Sequence, residues 1–160
     1  MLDALAPRPY GRAVFYSSLL HFHNLVRWIV LVAGAIAAAR AWRGGPSGRA
    51  GLAFTIALDT QVLVGIVMYV AVSPIVQTGL GNMRGAMKDH VLRFWVVEHP
   101  IAMLVGLVLA HAARIVERRG IGNAGKQRRA AILFTVAVII LILGVPWPFL
   151  PYGRPLFPGM

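Results

Sequence analysis

The 160-residue chain is 58% hydrophobic and only 13% charged, whereas a soluble domain carries about 25% charged residues over about 45–50% apolar ones. It contains no cysteine, which excludes disulfides, thiolate metal sites, iron–sulfur clusters and haem attached through a CxxCH motif. The 16 Lys and Arg against 5 Asp and Glu give a net charge of +11, but the basic residues lie mostly between apolar runs, the pattern of membrane topology rather than of a nucleic-acid face.

A membrane span needs roughly 20 apolar residues to cover a hydrocarbon core of about 30 Å. Four segments meet this, at about 13–42, 52–72, 91–116 and 130–145, and predict an all-α, four-helix integral membrane bundle in a single domain, 1–160. The apolar residues run continuously instead of alternating, so strands do not fit. The first run is too long for a cleaved signal peptide and lacks a small-residue cleavage site. Between the first two helices, Arg43-Gly44-Gly45-Pro46-Ser47-Gly48 makes a short turn, and Ser73-Pro74 ends the second helix. Before the third helix, 83–97 mixes apolar residues with Arg84, Lys88 and Arg93, as an interfacial lead-in does. The third link is 120–125. From Pro146 the prolines recur every few residues and forbid a helix, and Trp147, Phe149, Tyr152 and Phe157 suit an interfacial aromatic cap.

Basic residues near the helix ends set the orientation. Arg40, Arg43, Arg49, Arg114, Arg118, Arg119, Lys126, Arg128 and Arg129 fall on one side, and Arg8, Arg12, Arg84, Lys88, Arg93 and Arg154 on the other. The first set predicts the cytoplasmic side of a bacterial inner membrane, with both termini periplasmic.

Ionisable residues inside spans mark functional sites by default. The polar candidates here are His21, His23 and Arg27 in the first span, Asp59 with Thr60 and Gln61 in the second, and Glu98, His99 and His111 in the third. His23 lies about ten residues into its helix and His99 about eight into one running the same way, so at about 1.5 Å per residue their heights nearly match. Two imidazoles at one level on neighbouring helices can hold the iron of a low-spin b-type haem, which without cysteine is noncovalent. Arg27, four residues after His23, shares its face and is placed to pair with a haem propionate or with Glu98. His21 is the rival ligand, about 200° around the helix from His23. His111 sits about 18 Å inward of His99, level with Asp59. A hydrogen bond between these two satisfies both, so one haem is the expected count and His111 a secondary ligand candidate. Ala102, Gly106 and Ala110 form a small-residue ridge on the third span, and Pro100 predicts a kink there. No Gly-x-Ser-x-Gly, HExxH, Walker or dinucleotide motif occurs. Metal transport lacks the methionine clusters and cysteines that copper requires.

Three stretches also resemble a known family. His21-Phe22-His23-Asn24-Leu25-Val26-Arg27-Trp28, Arg93-Phe94-Trp95-Val96-Val97-Glu98-His99-Pro100, and Val145-Pro146-Trp147-Pro148-Phe149 followed by Gly153-Arg154 look like signatures of small bacterial membrane proteins labelled cytochrome b-like. The resemblance covers nearly the whole chain in order. It implies a four-helix membrane fold, b-type haem and electron transfer, with His23, His99, Arg27, Trp28 and Glu98 matching the family pattern. Many members look to have histidine where this chain has Asp59, a departure that weakens a second cofactor at the inner level. The expected function is electron transfer, between quinol and a larger respiratory-type membrane complex. The competing expectation is a haem-free accessory subunit of such a complex, with the same residues as a structural polar cluster. In neither case is a stand-alone enzyme expected.

Overall fold

Long uncharged runs make the long helices here, and glycines and prolines end them. The computed structural model describes residues 9–120 and 122–157, with no strand among them. Arg8, counted above with the outer basic set, lies outside the described residues. Four long helices carry the architecture: α1 (Pro9–Trp42), α2 (Gly48–Val67), α6 (His99–Arg118) and α7 (Ala124–Leu143). Three short ones, α3 (Pro74–Gly81), α4 (Met83–Ala86) and α5 (His90–Arg93), fill the link between α2 and α6. The sequence predicts no helix at 74–81; Pro74 starts one there because its fixed φ and missing N–H suit a first helical turn.

Three stretches are long and apolar enough to cross a membrane: Ala13–Trp42, Gly48–Val72 and His90–Arg118. α7 equals α2 in length but carries Lys126, Arg128 and Arg129 in its first turns, which leaves an uncharged run of 130–143. Large apolar side chains such as Leu25, Ile29, Val32 and Ile36 on α1 are exposed, compatible with contact to a lipid bilayer.

Each long helix packs on two others. α1 lies against α2 and α7, and α6 against the same two, so α1 and α6 stand on a diagonal. The neighbouring arrangement expected for the helices of His23 and His99 is thereby corrected. The core fills the inner half, the end of the bundle that carries the α1–α2 and α6–α7 turns. There Phe54 and Phe134 are fully buried with ring centroids 6.2 Å apart, ringed by Ala33, Ala37, Ala41, Ala110, Ala113 and Ala137. Between helices in lipid, such small side chains gain by letting backbones approach closely. Gly106 belongs to this packing: a Cβ there would meet Leu141 Cδ2 at 2.6 Å and Cγ at 2.8 Å. The ridge of Ala102, Gly106 and Ala110 therefore serves the α6–α7 contact. Gly106→Val is expected to lower stability by about 1–3 kcal/mol through overpacking, readable as a fall in the unfolding midpoint in detergent.

The inner turns are tightly built. Gly44 and Gly48 have φ of +75° and +60°, a left-handed conformation that glycine adopts without penalty. Both are required by the turn that reverses the chain between α1 and α2.

At the outer end both membrane-length helices near a proline widen into π-helical turns, Met68–Val72 before Pro74 and Phe94–Glu98 before Pro100. A proline leaves the carbonyl four residues back without its N–H partner. Side chains fill both gaps: Gln77 Nε2 donates to the Val70 carbonyl at 3.1 Å, and Tyr69 Oη to the Val96 carbonyl at 3.0 Å. The kink predicted at Pro100 is thus absorbed one turn earlier as a π-helical turn. Tyr69→Phe, which deletes the donor to Val96, should cost about 1 kcal/mol of stability, measured by the same unfolding assay.

Beyond α7 the chain makes non-helical turns, as the prolines predict. Arg154 N donates to the Pro146 carbonyl at 3.0 Å. Tyr152 stacks on Phe94 at 3.6 Å between centroids, and Phe157 on Trp28 at 5.6 Å. The tail is thereby laid across the middle of α1 and the π-helical turn before α6.

Candidate functional site

The inner half is packed tight by alanines, whereas the outer half leaves a cavity of about 570 Å³ between α1, α2 and α6. That volume is within the range of about 300–1,000 Å³ usual for ligand and cofactor sites. Its walls are mainly apolar, with His23, Asn24 and Arg27 from α1, Gln61 and Tyr69 from α2, His99 from α6 and Arg154 from the tail as polar groups.

His23 and His99 meet across it. Their ring centroids are 6.4 Å apart with planes at 63°. The Nδ1 of His99 lies 2.8 Å from the Gly144 carbonyl. A carbonyl only accepts, so Nδ1 carries the proton and Nε2 holds the lone pair. His23 Nδ1 is buried with no hydrogen-bond partner. Gly65 of α2 faces its ring, where a Cβ would lie 3.4 Å from His23 Cε1.

Arg27 is buried, 6% exposed. Its Nη2 donates to the Leu156 carbonyl of the tail at 2.7 Å, its guanidinium lies 5.3 Å from the Trp28 ring centroid, and its Nε is unpartnered. The alternative pairing with Glu98 is not formed. Glu98 accepts instead from Arg93 Nε at 2.6 Å, at the surface. The reason is the π-helical turn, whose wider winding brings residues five apart together. Glu98 therefore stands outside the cavity, although His99 beside it in sequence lines it.

The other histidines separate from this pair. His21 lines a second, smaller cavity of about 320 Å³ with Trp28 and Phe157. His111 pairs with Asp59 at 2.7 Å between α6 and α2, the contact that their matched heights predict. His90 Nδ1 lies 3.1 Å from Arg93 Nη2 at the surface.

Gln61, one of the polar candidates of the second span, belongs to the site, whereas Tyr69 and Arg154 escape a reading for polar groups in spans. Gln61 is 5% exposed with an unpartnered Oε1, Tyr69 lines the cavity, and Arg154 reaches it from the tail, 5.1 Å from the Trp95 ring centroid.

A bis-histidine metal centre makes a definite demand. A metal–imidazole bond is about 2 Å, and each ring nitrogen is roughly 1.1–1.2 Å from its ring centre. Ligands on opposite sides of one metal ion then have centroids about 6.2–6.5 Å apart. The observed spacing meets that demand, as does the His99 tautomer, since a ligating histidine usually donates its other N–H to a carbonyl or carboxylate. Of the five orphaned buried side-chain atoms among the described residues, three, His23 Nδ1, Arg27 Nε and Gln61 Oε1, belong to residues lining the same cavity. Among the described residues no group of three or more His, Asp or Glu gathers in a metal-binding cluster, so a metal here would rest on the two imidazoles and a further ligand such as a macrocycle. Comparison with family models, curated proteins and solved structures finds no match to this chain.

Proposed function

We propose that the cavity holds one noncovalent b-type haem with His23 and His99 as axial ligands, and that the protein carries electrons in a bacterial inner membrane. The observation that supports this best is the 6.4 Å spacing of two imidazoles across a mainly apolar cavity, with His99 already held in the ligating tautomer. A bis-histidine haem supplies one-electron transfer, with no axial position open to oxygen. The chain's own residues orient and shield. The Gly144 carbonyl fixes the His99 ring, Gly65 leaves the His23 ring its room, and Arg27 and Arg154 offer positive charge to carboxylates. The aromatic tail covers the outer end against water.

In this reading α7 is a fourth span, its three basic residues lying with those of the first turn on the cytoplasmic side, and both termini are periplasmic. The donor is a membrane quinol and the acceptor a larger respiratory-type complex. The likeness of the segments around His23 and His99 to cytochrome b-like proteins points the same way.

The test is a reduced-minus-oxidised absorption spectrum of the protein purified from its native membrane after growth with ample haem. A sharp low-spin b-type band at one haem per chain is the expected result. Absence of haem overturns the reading and favours the second one, a haem-free accessory subunit. One observation favours that alternative: Arg27 and His99 already bond to the Leu156 and Gly144 carbonyls, so the cluster holds tail and α7 together by itself.

A further inference from the structure

Asp59 and His111 are hydrogen-bonded across α2 and α6, yet their side chains remain 51% and 47% exposed on the outside of the bundle. Both lie within stretches long and apolar enough to cross a membrane. Around them the exposed residues are apolar: Ile56 and Leu63 on either side of Asp59, Val108 and Ile115 on either side of His111. Acyl chains offer no hydrogen bonds, so ionisable groups at such depth face a bundle interior, a watery cavity or another protein. Among the described residues this pair faces none of these. It needs a cover that is polar at its centre and apolar at its rim.

The face itself has that composition. The Asp59–His111 bond uses Oδ1 and Nε2 and, with the pair held as carboxylate and imidazolium, leaves Oδ2 as an acceptor and Nδ1–H as a donor for a partner. Acceptor and donor stand side by side at one depth on antiparallel helices. A two-fold axis along the membrane normal, set in front of the pair, exchanges left for right and keeps depth. It brings the carboxylate of one copy opposite the imidazole of the other, twice. The apolar rims then meet each other as well. We propose that the α2–α6 face is the interface of a two-fold homodimer in which Asp59 of each copy meets the partner's His111. Two turns outward of the pair, half-exposed Ile66 and Leu104 line the side of the cavity, so the dimer also closes that side. The proposal is independent of what the cavity binds.

A chain without cysteine makes the test direct. Leu63 and Val108 each lie one turn outward of the pair, at matching depth. Full-length Leu63→Cys and Val108→Cys copies with different tags are coexpressed and treated with a short bismaleimide in native membranes. The mixed crosslink is expected to exceed either same-variant crosslink several-fold, and Val32→Cys copies, exposed on α1, are expected to give none. Replacing Asp59 and His111 together by leucine removes both symmetric bonds, and should weaken the mixed crosslink roughly tenfold. Two-step bleaching of singly labelled wild-type chains in bilayers is the matching expectation. One bleaching step, same-variant crosslinks equal to the mixed one, an unchanged crosslink in the leucine variant, or a crosslink to a protein of different mass would each overturn the dimer.

Discussion

Replacing either His23 or His99 with alanine is expected to weaken haem binding at least about 100-fold, beyond the 10–100-fold typical of losing a group that merely supports a metal ligand. The b-type band and the haem-to-protein ratio should then fall to near zero in both variants. The two should differ in stability, and this difference separates ligation from packing. His99 Nδ1 holds the Gly144 carbonyl just past the end of α7, so His99→Ala leaves that acceptor unpaired, at a cost of about 1–3 kcal/mol. His23 Nδ1 has no partner, and His23→Ala should lose less stability than His99→Ala when both are stripped of haem. Haem content with unfolding midpoints, measured on the same preparations, reads both effects. A wild-type band surviving in either variant rules that histidine out as a ligand. Equal destabilisation of both apo variants would count against the tautomer assignment at His99.

The largest stability effect is expected at the other end of the molecule. Glu117 is 3% exposed and Ser47 fully buried. One carboxylate oxygen accepts from the Ser47 main-chain N–H; the other accepts from Ser47 Oγ at 2.6 Å and from Arg114 Nη1 at 2.8 Å. A single side chain thus ties the α1–α2 turn to the inner end of α6. Glu117→Ala strands two buried serine donors and leaves the partly buried Arg114 guanidinium with Ser47 Oγ alone, a loss of about 2–4 kcal/mol. Glu117→Gln keeps the shape and one acceptor oxygen, and should lose less. Thermal unfolding in one detergent decides the matter. A Glu117→Ala loss below about 1 kcal/mol would mean that water, and not this carboxylate, satisfies the cluster.

How much of this was legible beforehand differs from residue to residue. Heights along the bundle follow from counting at about 1.5 Å per residue, which is why the Asp59–His111 contact and the common level of His23 and His99 could be anticipated. Glu98 could not be placed that way. Its pairing with Arg93 depends on a π-helical turn, and that turn arises from Pro100 together with a hydroxyl from Tyr69 on another helix. Arg27 met a carbonyl 129 residues away, and no local pattern encodes such a contact. Nothing local in the sequence marks Ser47, 70 residues away, as the partner of Glu117.

The amino-acid sequence by itself determined the membrane-like composition, the long apolar runs that make the helices, the turn at Gly44–Gly48 and the helix-free tail. These depend on local propensity and on the absence of charge, properties each segment carries alone. Only the tertiary structure decided which helices touch, that the two cavity histidines stand on a diagonal, and that the tail crosses α1. In helices whose outer faces are as apolar as their inner ones, periodicity does not say which side turns inward. That choice is made by where alanine and glycine let backbones close and where the outer half, lacking them, stays open.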